Sequence, residues 1–237
     1  MMWLWRICFS AACLSPLLGA TVAGMVELKD SRAAAVRKHR DFSGVVIALE
    51  PLDAAVPNHA PNHARMVQKD KTFTPHVLPV LIGTTVDFPN YDPIFHNAFS
   101  NYDGQLFDVG LYPPGSSREV HFTREGVVRI FCNIHSSMSA LIVVLKTPYF
   151  TTTTRDGSFQ IANVPPGEYR LKVFHERATE VTLDNLRQRV TIGNDALQIS
   201  PITISESGYL PIPHKNKYGR DYSPAPDDRI IYPATRP

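Results

Sequence analysis

The chain has 237 residues, 20 of them proline, with 19% charged residues and a formal net charge of +2. That length buries a real core, in one large domain or two small ones. The small, scattered charge excludes the strongly basic binders of nucleic acid or anionic membranes, and the many prolines favour β architecture with turns over a helical bundle.

Residues 1–23 read as a secretory signal. Arg6 supplies the positive charge, 7–18 is a short apolar run, and Thr21-Val22-Ala23 offers small residues before a cut. The run is too short to span a bilayer, and no later stretch reaches 18 apolar residues. The expected location is therefore the periplasm, with no transmembrane span after signal removal. Cysteine usage sharpens this. Cys8 and Cys13 fall inside the signal, which leaves Cys132 alone in an oxidising compartment. A lone exported thiol must be buried, paired between chains, or bound to something.

Residues 45–49 form an apolar, β-branched run stopped by Pro51. A polar loop follows over 53–64, with Pro-Asn-His-Ala written twice and His59 and His63 four apart. No helical pattern would put these two on one face, so a solvated loop is the reading, with auxiliary metal pickup as the alternative. Strands are expected at 76–82, 84–88, 120–123, 127–132 and 140–145, separated by Gly83, Pro89-Asn90, Glu125-Gly126 and finally Pro148. Short strands at this spacing predict an all-β sandwich. His76 and His121 read as packing or surface residues.

A second pattern starts near Pro148. Asp156-Gly157 is a turn signal rather than a catalytic acid. Residues 169–174 alternate as a strand, 181–189 allow a helical turn, and His175 is expected to face solvent. The last thirty residues carry Pro211, Pro213, Pro224, Pro226, Pro233 and Pro237 without a period, and read as extended.

The motif that carries chemistry is Cys132-Asn133-Ile134-His135-Ser136-Ser137-Met138, a C-x2-H-x2-M loop between two strands. Two imidazoles and a thiolate in a trigonal plane, with a weak thioether, suit copper in both of its oxidation states. One turn can supply Cys132, His135 and Met138. His96, after the strand 84–88 and the turn Asn90-Tyr91-Asp92-Pro93, is the natural fourth donor. Zinc would accept the Cys and His ligands but not the methionine. No paired His-x-His sets for a copper cluster occur, and no GxSxG, HExxH or phosphate-binding glycine loop.

GTTVDFPNYDPIFHNAFS, followed 36 residues after its histidine by CNIHSSM, resembles the cupredoxins: plastocyanin, pseudoazurin and especially amicyanin. The resemblance implies one type 1 (blue) copper held by His96, Cys132, His135 and Met138. Asn97 would tie the two ligand segments together. Ser136 departs from the proline common in amicyanin-like loops. The resemblance further implies a carrier of single electrons, without substrate turnover, between partners such as a cytochrome or dehydrogenase. Copper delivery or sensing, and a structural module with incidental copper, are the competing readings. TTTTRDGSFQIANVPPGEYRLKVFH resembles the second half of a carboxypeptidase-regulatory-like (transthyretin-like) sandwich, whose first half, VVIALEP, lies at 45–51. The whole resembles methylamine-utilisation-protein-like chains. The expected organisation is a signal (1–23), first strand or strands of a small β-sandwich and linker (24–65), an inserted cupredoxin Greek-key sandwich (66–146), the rest of the small sandwich (147–205) and a Pro-rich tail (206–237).

Overall fold

The computed structural model describes residues 19–53, 62–101, 104–211 and 213–222. In chain order, β1 (Ala20–Lys29), a short helix α1 (Ala34–His39) and β2 (Val46–Pro51) come first. Ten strands follow: β3 (His63–Arg65), β4 (Val67–Lys69), β5 (Thr72–Thr74), β6 (Val77–Leu81), β7 (Thr85–Pro89), β8 (Phe99–Ser100), β9 (Phe107–Asp108), β10 (Ser117–His121), β11 (Gly126–Phe131) and β12 (Ser139–Leu145). The chain closes with β13 (Phe150–Thr152), β14 (Ser158–Val164), β15 (Gly167–Phe174), helix α2 (Glu180–Asn185), β16 (Gln188–Ile192), β17 (Leu197–Gln198) and β18 (Ile202–Ser205). Among the described residues no helix is long and apolar enough to cross a membrane.

The fold is all-β, and it is split in sequence as the two patterns predict. β14, β1 and β17 make one sheet, with β18 also on β1, and β13-β2-β15-β16 makes another. Val22, Val26 and Leu28 of β1, Ile47 and Leu49 of β2, and Leu171 and Val173 of β15 fill the core between them. Between β2 and β13 the chain leaves to build a second sandwich from the sheets β10-β7-β3 and β6-β12-β11-β8-β9. Its core holds Val86, Phe88, Phe122, Ile130, Cys132, Met138 and Ile142. The chain then returns, and β2 pairs with β13 on one edge and β15 on the other. Val46 and Ala48 of β2 pack on Val143 and Leu145 of β12, so the two sandwiches share a small apolar seam.

Two expected boundaries fall within paired strands. The signal segment lies mostly outside the described residues, but 20–23 open β1, where Ala20 and Val22 are buried in the core and paired with β14. Small and β-branched residues suit a cleavage site and a strand equally, and burial alternates along β1. The linker expected to run to 65 is also shorter, because β3 pairs with β7 residue by residue and belongs to the inserted sandwich. Asp156-Gly157 is the turn it was read as. Gly157 sits at φ +88°, and a Cβ there would come 2.1 Å from the Val26 carbonyl oxygen. Hydrogen bonds from the Thr154 and Ser158 hydroxyls and the Ser158 N–H hold the Asp156 carboxyl down to about 2.

Candidate metal centre

Antiparallel pairing of β11 with β12 ends at Phe131 opposite Ser139, so 132–138 is a hairpin loop. The loop closes on itself: Cys132 N–H donates to Met138 O (3.2 Å) and Met138 N–H to His135 O (3.1 Å). This turn folds His135 back over Cys132 and puts its Nδ1 3.7 Å from Sγ. His96 comes from the connection between β7 and β8. Its backbone exchanges two hydrogen bonds with Tyr112 (3.2 and 2.9 Å), and its Nδ1 stands 3.8 Å from the same sulfur. His96 and Cys132 are fully buried and His135 is 8% exposed. The three donor atoms lie within 4.8 Å of one another, and among the described residues no second trio of His, Cys, Asp or Glu does so.

These spacings test the donor set against a metal. Bonds of about 2.3 Å to sulfur and about 2.0 Å to nitrogen, meeting at about 120°, separate S from N by about 3.7 Å; a tetrahedral angle gives about 3.5 Å. The observed 3.7 and 3.8 Å are spacings at which one ion could meet all three donors, two imidazoles and a thiolate, a set that suits copper. Met138 is fully buried in the same core cluster as Cys132. Of residues 93–95, just before His96 in the sequence, Pro93 is exposed and Ile94 and Phe95 are half-buried.

Burial pushes the Cys132 thiol up, opposed by the backbone N–H groups of Ile134, His135 and Asn97. A metal ion reverses that balance by ligating the thiolate. Burial also lowers His96, against the pull of Asp92, and so favours the neutral imidazole. Its Nε2–H donates to Asp92 Oδ2 at 2.7 Å, leaving the Nδ1 lone pair aimed at the site. A carboxylate on the far nitrogen is the usual partner of a metal-binding histidine. Asp92 is itself clamped by the N–H groups of Asp70 (2.6 Å) and Lys71 (2.9 Å) in the β4–β5 turn. Burial would raise its carboxyl, but the N–H groups of Lys71 and Asp70 and the His96 ring outweigh that and hold it below the usual range.

Asn97 does what the resemblance implies. Its Oδ1 accepts from Asn133 N–H (3.3 Å), while its Nδ2 donates to Asp108 (2.8 Å) and Gly110 O (2.9 Å). In the sequence Asp92 reads only as part of the turn Asn90-Tyr91-Asp92-Pro93. Its place four residues before His96 was the available signal. Of the other histidines, His121 faces Thr85 on the surface (3.2 Å) and His76 bonds Glu176 (2.6 Å). His175 does not face solvent: it is 3% exposed, and its Nε2 meets Glu206 at 2.9 Å. The end of the alternating strand β15 points it inward, where Glu206 compensates its polarity. His63 is exposed on β3, and His59 lies outside the described residues.

Residues 136–197 match the family model described as polysaccharide lyase family 4, domain II. That description differs from the carboxypeptidase-regulatory-like one, over much of the same sandwich. No curated protein matches the chain. Among solved structures, the chain is similar to a novel purple cupredoxin from Nitrosopumilus maritimus at 26% identity, covering 35% of this chain and 99% of that one with a TM-score of 0.32. It is similar to a copper-containing nitrite reductase from Thermus scotoductus at 24% identity, covering 40% of this chain and 25% of the reductase, TM-score 0.34. A reduced amicyanin variant aligns at 19% identity over 35% of this chain and 81% of amicyanin, TM-score 0.33.

Proposed function

We propose that this is an exported type 1 (blue) copper protein of the methylamine-utilisation-protein-like kind. It would carry single electrons between redox proteins, such as a cytochrome and a dehydrogenase, without turning over a substrate. The observation that carries the reading is the buried triangle of His96 Nδ1, Cys132 Sγ and His135 Nδ1, with sulfur 3.8 and 3.7 Å from the nitrogens. One copper held there, with the Met138 thioether as weak fourth donor, supplies a one-electron couple.

The chain's own residues do the rest. Burial of Cys132 keeps water from the sulfur. Asp92 holds His96 in the tautomer whose Nδ1 is free to donate. Asn97 fixes the loop that bears Cys132 and His135 against the segment that bears His96. His135, slightly exposed, is the exit toward a partner, and Pro93, Ile94 and Phe95 provide an apolar docking face. Copper delivery asks for donors open to a competing ligand, so burial of all three favours the carrier.

Purified protein given Cu(II) is expected to take up one equivalent and show an intense visible thiolate-to-copper band that bleaches reversibly on reduction. A colourless or labile complex would sink the reading. Export is tested by the mass of the periplasmic form. Its first residue is expected at or before Ala20, because a start at Gly24 would remove Ala20 and Val22 from the core; burial of a valine contributes about 2 kcal/mol.

A further inference from the structure

The C-terminal tail does not hang free of the metal centre. After β18 it is anchored in the small sandwich, where Glu206 N–H donates to Lys29 O (2.9 Å) and its carboxylate receives His175, Arg177 and Ser31. It then crosses to the inserted sandwich and closes a turn of its own. Gly219 N–H bonds Asn216 O, Asn216 N–H bonds Arg220 O (both 2.9 Å), and Asn216 Oδ1 accepts from the N–H groups of Tyr218 and Arg220.

From this stiff turn, contacts run to successive points of the ligand loop. Tyr222 O–H donates to the carbonyl of Cys132 itself (2.9 Å). Lys217 N–H donates to Asn133 Oδ1 (3.0 Å). His214 Nε2 bonds Ser136 O (2.8 Å), and its ring stacks on Phe131 with centroids 4.0 Å apart. Lys217 Nζ also pairs with Asp108 (2.7 Å), whose other oxygen accepts from Asn97 Nδ2 (2.8 Å). Residues 131, 132, 133 and 136 are thus all held from outside the inserted sandwich.

The loop needs such a hold. Ser136 has no ring to fix its backbone, and a redox centre that keeps one geometry in two oxidation states depends on stiff surroundings. We propose that His214, Lys217 and Tyr222 are positioning residues of the metal centre: the tail is a strap that immobilises the 132–138 loop and slows the release of copper. This rests on the copper reading above for its second half only.

The test uses full-length protein. Amide exchange across 133–138, measured without metal, reports the strap whether or not copper binds. Tyr222→Phe removes the hydroxyl's bonds to Cys132 O and to His214 Nδ1 (3.1 Å) and keeps the ring, so exchange there should quicken by at least about two- to tenfold, the factor one such bond is worth. Copper release to a chelator should quicken by a similar factor. The reduction potential should fall, because the hydroxyl dipole no longer favours the extra electron. His214→Ala should act likewise and His214→Gln, which keeps an N–H donor, should recover part of the loss. Leu210→Ala, exposed on the same tail, is the control and should change nothing. Equal exchange and release rates in Tyr222→Phe, His214→Ala and the control would overturn the strap. A protein that binds no copper but whose loop loosens in Tyr222→Phe would overturn the copper reading and leave the immobilised loop standing.

Discussion

The two segments that meet at the candidate metal centre are held in opposite ways. His96 is secured from within its own sandwich, by the backbone exchange with Tyr112 and by the buried Asp92 carboxylate that the β4–β5 turn clamps. The 132–138 loop makes two backbone bonds of its own and one to Asn97 of the same sandwich, and takes further support from outside it. The tail grips it on one side, and at its base His76 bonds Ser139 O while reaching Glu176 of the small sandwich. A buried ligand can be fixed by a partner a few residues away. A ligand loop at the rim of a sandwich has no core beneath its outer face and must borrow rigidity. The second sandwich is therefore more than a carrier of the first.

The comparison can be broken at either arm, and the largest effect is expected at the residue both arms share. Cys132→Ser should abolish the thiolate-to-copper band completely, since Cys132 is the free cysteine among the described residues and no other can supply a thiolate; an unchanged visible spectrum would disprove the ligand assignment. On the His96 arm, Asp92→Asn should keep the shape and lose the charge that orients the imidazole. A 10- to 100-fold weaker copper affinity is expected from losing such a partner, by chelator competition. Affinity unchanged in Asp92→Asn would mean that the Tyr112 backbone pair alone fixes His96.

How much of this was legible follows the same division. The donor residues could be read because three of them sit in one seven-residue loop, and covalent spacing limits what such a loop can do. The split sandwich was legible from β2 and β15, whose apolar runs needed each other as neighbours. β1 was not, because the same small residues serve a cleavage site and a strand, and only pairing with β14 separates the two. Asp92 hid in a turn, where an aspartate normally needs no partner beyond the backbone. His175 was misplaced because its buried partner, Glu206, is 31 residues away. The strap was least visible of all: His214, Lys217 and Tyr222 lie 78 to 90 residues from the loop positions they touch, with no periodic pattern to mark them.

The smallest effect concerns the base of the loop, where pH separates the arms. Both ring nitrogens of His76 face acceptors, Nδ1 the Ser139 carbonyl at 3.1 Å and Nε2 the Glu176 carboxylate at 2.6 Å. Both contacts are satisfied only when each nitrogen carries hydrogen, so the fold favours the imidazolium. Its pKa is accordingly raised, by the Glu176 hydrogen bond above all, with burial and Arg177 opposing. Glu176 is lowered although burial opposes it, by His76 and by Arg177, which also bonds its carboxylate (2.6 Å). A raised histidine contributes stability that is complete below the ordinary histidine range and is lost as pH rises through the folded value. The His76 side chain is half exposed, so the gain is at most about 1 kcal/mol. The melting temperature of wild type should exceed that of His76→Gln at mildly acid pH, and the gap should close as pH rises past neutrality. A gap that widens with pH would mean that His76 serves as a neutral packing residue, leaving the tail as the outside support of the ligand loop.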